Sequence, residues 1–234
     1  MMSEIRKELQ KLADPVRAKL SQRFFKTGKG EYGEGDRFLG MVMSEQRKIA
    51  KKYSDNISVE DTIKLLRSGK FHEERMVALL ILILKYKKGS QVEHKQIFES
   101  YLENTKFINN WDLVDVTCSN IVGAYLFDKD KKILYKLAKS KNLWEKRIAI
   151  ISTFYFISKG KISDTFKISK ILITDKHDLI HKAVGWMLRE AGKRDKAKLV
   201  KFLEGNRLKM PRTTLRYSIE KFSPAERRRY LTRF

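Results

Sequence analysis

Three of the longest apolar stretches of the chain share one plan of hydrophobic and polar positions. They are HEERMVALLILILKYKKG from His72, LWEKRIAIISTFYFISKG from Leu143 and LIHKAVGWMLREAGK from Leu179. Each opens polar, sets a basic residue ahead of an apolar face, and closes on Lys, Arg and Gly. The basic residues are Arg75, Arg147 and Lys182, and LRYSIEKF adds Arg216. Their spacing of about 35 residues, or twice that, is the period of paired-helix repeats. The missing step falls near WDLVDVTCSNIVGAYLF from Trp111. The pattern predicts an all-α chain, with helix pairs stacked so that each buries what its neighbour cannot.

Start and stop signals agree with that reading. Ser44, Ser58 and Ser223 with Pro224 open helices, as does Pro211. Gly69, Gly89, Gly160 and Gly205 each follow a helical run and are expected in the left-handed cap conformation. The three prolines, Pro15, Pro211 and Pro224, lie near the ends, which leaves the middle free of breakers. KTGKGEYGEGD, from Lys26 to Asp36, is the one long loop; its four glycines are not followed by GKS or GKT, which argues against nucleotide binding. One domain over residues 1–234 is expected.

Charge then changes the picture. The net charge is +23, a self-repulsion that a polyanionic partner relieves, and nucleic acid is the leading candidate. An anionic membrane surface is the competing explanation, but the longest apolar run, Met76 to Leu84, is nine residues where a span needs about 20. The first residues are charged throughout, without a secretory apolar stretch, and a cytoplasmic location is expected. The single cysteine, Cys118, sits among apolar neighbours and reads as a small buried hydrophobe. A stacked repeat would align Arg75, Arg147, Lys182 and Arg216 along a concave face as a basic groove for phosphates; a solvated convex face is the other reading. From Lys193 to Phe234 there are 14 Lys or Arg and four acids, including consecutive Arg227, Arg228 and Arg229.

NWDLVD, from Asn110 to Asp115, carries the candidate chemistry. On a helix Trp111 and Asp115 share a face, and Asp112 lies three residues from Asp115. A carboxylate in a DNA-binding groove opposes binding, so one pointing inward suits a reaction that develops positive charge. N-glycosidic cleavage does so, because the sugar acquires oxocarbenium character as the base departs. A carboxylate stabilises that charge and orients water. The faces of Trp111 and Trp186 can hold a cation, although Trp186 taken alone reads as core. Arg147 can anchor a phosphate. Asp112 reads as a cap or acceptor and Trp144 as packing. Tyr32 and Arg37, in or beside the glycine-rich loop, are further candidates for DNA contact. The histidines, His72, His94, His177 and His181, form no HExxH, and one cysteine excludes a Cys-rich zinc site. No metal or cofactor is expected.

EYGEGDRFLG from Glu31, NWDLVD from Asn110, LWEKRIAI from Leu143 and HKAVGWMLRE from His181 together cover nearly the whole chain. On these segments the chain resembles the DNA alkylation repair family of HEAT-like repeat DNA glycosylases, the AlkD-type enzymes. The resemblance implies a right-handed-type α–α solenoid of HEAT-like helix pairs with a concave basic groove. It also implies excision of cationic 3-methyladenine- and 7-methylguanine-type bases from duplex DNA, by a grip on the backbone without an enclosing base pocket. It assigns the catalytic carboxylate to Asp115, the groove tryptophans to Trp111 and Trp186, and the essential arginine to Arg147. Many members carry a second aromatic before the Asp of the motif, where this chain has Asn110 and then Trp111. A monofunctional hydrolase acting as a monomer on alkylated double-stranded DNA is the leading expectation. The alternatives are a non-catalytic repeat module that binds DNA and a scaffold for an acidic protein.

Overall fold

The structure, a computed structural model, describes residues 1–232. The described residues contain no strand. Helices α1 (Met2–Lys11), α2 (Pro15–Phe24), α3 (Met43–Tyr53), α4 (Val59–Ser68), α5 (His72–Lys88), α6 (Gln91–Glu103) and α7 (Trp111–Cys118) come first. A π-helical turn, Ser119–Gly123, continues α7 into the single turn α8 (Ala124–Leu126). Then follow α9 (Lys132–Ala138), α10 (Leu143–Ile151), α11 (Thr153–Ser158), α12 (Ser163–Leu172), α13 (Asp178–Arg194), α14 (Lys196–Asn206), α15 (Arg212–Ser218) and α16 (Pro224–Leu231). No helix among the described residues is long and apolar enough to cross a membrane. The chain divides into two compact units, Met1–Thr117 and Cys118–Phe234.

In the first unit α5 is the axis. It packs against α1, α3, α4 and α6, and every residue from His72 to Ile83 is buried. The apolar run Met76–Leu84 is therefore a core helix, apolar all round because it has neighbours all round. In the second unit the repeat is visible as layers: α9 packs on α12, α10 on α13, and α13 also on α14 and α15. Helix α13 is amphipathic, burying Ile180, Ala183, Val184, Met187, Leu188 and Ala191 at helical spacing. Gly185 lets α15 close onto it, since a Cβ there would stand 2.5 Å from that of Tyr217. Cys118 is fully buried, in keeping with its apolar setting.

Ser58 and Ser223 cap α4 and α16 by accepting the N–H of Asp61 and Glu226, and Pro224 occupies the first turn. Two start signals shift. Helix α3 begins at Met43 with Val42 as its N-cap, and the Glu45 carboxylate rather than Ser44 takes up the Val42 N–H at 3.1 Å. Pro211 is itself the N-cap of α15, which ends at Ser218. Of the four glycines expected as left-handed caps, only Gly160 is one, at φ +80°. Gly69 and Gly89 have φ of −64° and −78°; the next helix comes so close that a Cβ would meet Arg75 Cγ at 3.0 Å or Glu93 Cβ at 3.1 Å. Gly205 lies inside α14.

Candidate functional site

The first turn of α5 carries four charged or titratable residues in succession, His72, Glu73, Glu74 and Arg75, and all four are buried. Each is matched by a partner on another segment of the first unit. Glu73 accepts the backbone N–H groups of Leu39, Gly40 and Met41 at 2.9, 2.8 and 3.3 Å. Glu74 pairs with Arg6 of α1 at 2.8 Å. Arg75 donates to Asp36 at 2.7 Å. His72 stands between two carboxylates, with Nδ1 2.8 Å from Asp36 Oδ2 and Nε2 2.8 Å from Asp112 Oδ2. Its own backbone N–H donates to the Arg37 carbonyl at 2.7 Å. The end of the glycine-rich loop is thus bound to α5, and α5 to the first turn of α7.

Burial alone would drive the His72 pKa down; the charge of Asp112 and the hydrogen bonds to Asp112 and Asp36 outweigh it and raise it to about 9. Burial would likewise raise Asp36, but His72 and Arg75 hold it at about 2. A neutral imidazole carries one N–H, and its other nitrogen would turn a lone pair towards a carboxylate. Only the imidazolium donates to both sides.

Helix α7 presents Trp111, Asp112 and Asp115. All three are half-buried. Asn110, just before the helix, is fully buried; its side-chain oxygen accepts the Trp111 N–H at 2.8 Å and its amide donates to Asp36 at 3.4 Å. At Asn110, the position noted above as departing from a second aromatic, the chain therefore has a polar link to the Asp36 network. Aromatic rings continue the connection. His72 stacks on Phe38 at 4.6 Å, Phe38 on Phe25 at 4.9 Å, and Phe25 on Trp111 at 5.1 Å. Phe24 meets the Trp111 ring edge-on at 5.8 Å. Trp111 is held on an aromatic wall whose far end is a cation. Asp115 follows one turn along the same helix face.

In the second unit Arg147, Lys182 and Arg216 are each the fifth residue of their helices, α10 from Leu143, α13 from Asp178 and α15 from Arg212. Since α10 packs on α13 and α13 on α15, the three hold the same ordinal place in successively packed helices. Exposure grades along it. Arg147 is buried and donates to the Leu179 carbonyl. Lys182 is half-buried and pairs with Asp178 at 2.7 Å. Arg216 is exposed. Trp186, one turn after Lys182, is half-buried beside Phe154, their ring centroids 5.9 Å apart. The turn before α13 is braced by Asp175, which pairs with Lys146 at 2.6 Å and accepts the His177 N–H at 2.9 Å. Burial lowers the His177 pKa, consistent with a neutral ring whose Nδ1 caps α13 by accepting the Leu179 N–H at 3.1 Å.

Two members of the basic series, Arg75 and Arg147, are buried. Arg75, expected to face phosphates with the others, is buried and its charge is met by Asp36. Arg37 is exposed, its guanidinium 4.8 Å from the Phe71 ring centroid. Tyr32 is half-buried, with its hydroxyl 3.5 Å from the Phe24 carbonyl. Trp144 is buried, as packing requires. Arg227, Arg228 and Arg229 are all exposed on α16. Sequence reasoning missed Asp36 and His72 altogether. The histidines were considered there only for a metal-binding motif, which they do not form, and a bridge between two acids has no local signature.

Comparison with known proteins bears on the fold and the family. No curated protein matches the chain. A solved structure titled "Predicted DNA alkylation repair enzyme from Enterococcus faecalis" superposes with a TM-score of 0.71 at 17% identity, over 91% of this chain and 97% of that one. At that identity the likeness establishes the fold. The sequence model of the family described as DNA alkylation repair enzyme matches residues 5–222. The chain belongs to the DNA alkylation repair enzyme family.

Proposed function

We propose that the protein is a monofunctional DNA glycosylase that hydrolyses the N-glycosidic bond of alkylated, positively charged purines in duplex DNA and leaves an abasic site. The observation that carries this reading is α7: a tryptophan seated on an aromatic stack, followed one turn later by a half-buried carboxylate. In a chain of net charge +23, a carboxylate beside the DNA weakens phosphate binding, so its value lies in the transition state. As the base leaves, the sugar becomes cationic. Asp115 stabilises that charge and orients the attacking water. A base alkylated at a ring nitrogen departs as a neutral molecule and needs no strong general acid. Trp111 holds the cationic lesion nucleotide with its negative ring face, and Trp186 offers such a face on the second unit. Lys182 and Arg216 grip the backbone with their more open cations, and Arg147, buried and bonded to the Leu179 carbonyl, fixes the start of the helix that carries Lys182. Tyr32 and Arg37 contribute DNA contacts from the glycine-rich loop and its edge.

The test is base release from duplex DNA carrying 7-methylguanine. Wild type is expected to release the base, and Asp115→Asn to lose at least about a hundredfold in single-turnover rate while retaining its affinity for DNA. Undiminished release by Asp115→Asn would remove the carboxylate from the mechanism. Binding without release by wild type would make the protein a DNA-binding module of the repair family.

A further inference from the structure

The Asp36–His72–Asp112 bridge has no part in the chemistry just described, yet it is built to close tolerances. His72 is held by two hydrogen bonds of 2.8 Å and by the ring of Phe38 at 4.6 Å. Both routes lead to the same place. Through Asp112 the imidazolium is tied to the first turn of α7; through Phe38 and Phe25 it supports the ring of Trp111. Its other carboxylate partner, Asp36, fastens the end of the glycine-rich loop and is itself bound by Arg75 and Asn110. A bare histidine in an apolar core would be neutral and would need one acceptor. Two acidic partners on opposite ring nitrogens are an arrangement for a permanent cation with a fixed orientation.

We propose that His72 is a positioning residue of the site, a doubly donating imidazolium that locks α7 to the glycine-rich loop and so sets the orientation of Trp111 and Asp115. This rests on the reading of Trp111 and Asp115 as the reacting site. The groups facing His72 are Asp112 from α7, Asp36 from the loop, and Arg75 of its own helix through Asp36. When the imidazolium loses a proton, one of its two hydrogen bonds becomes a lone pair set against a carboxylate. The first turn of α7 is released or the loop is, and Asp115 leaves its productive place.

The experiment combines kinetics with two readouts that need no turnover. In single-turnover release of 7-methylguanine, His72→Gln is expected to lower the rate constant by about 10- to 100-fold, with DNA affinity unchanged within about twofold. The wild-type rate constant should hold to about pH 8 and fall through pH 9, where His72 titrates, and His72→Gln should lose that alkaline limb. Asp112→Asn, which keeps the Asp36 contact, should move the limb to lower pH, and it carries the test should His72→Gln fail to fold. Ring-nitrogen NMR on histidine-labelled protein should find both nitrogens of His72 protonated at pH 7.5. The indole N–H resonance of Trp111 should shift in His72→Gln. A singly protonated ring, an unmoved indole signal, or a loss confined to DNA affinity overturns the proposal. If wild type releases no methylated base, the glycosylase reading fails, and the ring spectrum and indole shift judge the lock by themselves.

Discussion

Helices α5 and α13 are the axes of their units, have the same length of 17 residues, and follow the same sequence plan, yet their opening turns do opposite things. In α5 the turn His72–Arg75 is buried and every charge in it is matched by a partner on another segment. In α13 the charge of the corresponding turn lies at the surface. Asp178 pairs with Lys182 of the same helix at 57% and 43% side-chain exposure, and Trp186 follows half-open. The first is an internal joint; the second is a surface suited to a partner. A polar helix start followed by an apolar face is thus a fold signal common to both, while the function of its basic residue depends on whether an acid from another segment reaches it.

The largest expected effect comes from breaking the α5 joint at Glu73. Its carboxylate alone receives three buried backbone N–H groups at the end of the glycine-rich loop. Glu73→Ala leaves them without acceptors, and stability should fall by roughly 3–5 kcal/mol, measured by urea denaturation. The matching change in α13, Asp178→Ala, should cost less than about 1 kcal/mol, because the pair it breaks is exposed. Equal losses from the two changes would abolish the distinction between the helices.

The next effect is in pH. The His72 pKa rises from 6.5 in the unfolded chain to about 9 in the folded one, so between these values the folded protein holds a proton that the unfolded chain has released. Stability from this residue is complete below pH 6.5 and is lost as pH rises through 9, roughly 2–4 kcal/mol in all. Asp36 works in the other direction. Its pKa falls from 3.8 to about 2, so its contribution is complete above pH 3.8 and is lost as pH falls towards 2. Denaturation curves across pH should show a decline from pH 7 to 9.5 that is nearly absent in His72→Gln. A wild-type curve flat over that range would mean that the bridge is neutral.

Much of this architecture was legible in the sequence because it depends on local periodicity. The all-helical fold and the caps at Ser58 and Ser223 follow from the spacing of apolar residues and the chemistry of helix ends. The common place of Arg147, Lys182 and Arg216, fifth in their helices, was also legible, since they recur at intervals of 35 and 34 residues in the sequence. Partners across the fold were not. Asp36 and Asp112 lie 36 and 40 residues from His72, and nothing local distinguishes an acid that bridges two segments from one on the surface. For the same reason Arg75 read as one more basic residue in the series. Gly69 and Gly89 show the limit in backbone terms: a glycine after a helix marks either a left-handed turn or a close approach, and the sequence is identical in both cases.

The smallest effect tests the basic series against that correction. Removing a cation that touches phosphate lowers the slope of log affinity against log salt by about 1 while leaving the folded state almost unchanged. Lys182→Ala and Arg216→Ala should each behave so, with stability altered by less than about 0.5 kcal/mol, because one side chain is partly open and the other exposed. Arg75→Lys should do the reverse. It keeps the charge but loses the guanidinium geometry that meets Asp36 in the interior, so stability falls while the salt slope stays at the wild-type value. The measurement is duplex affinity at four or five salt concentrations, with a denaturation curve for each variant. Should Arg75→Lys flatten the slope and Lys182→Ala leave it untouched, the assignments of the two helix starts would have to be exchanged.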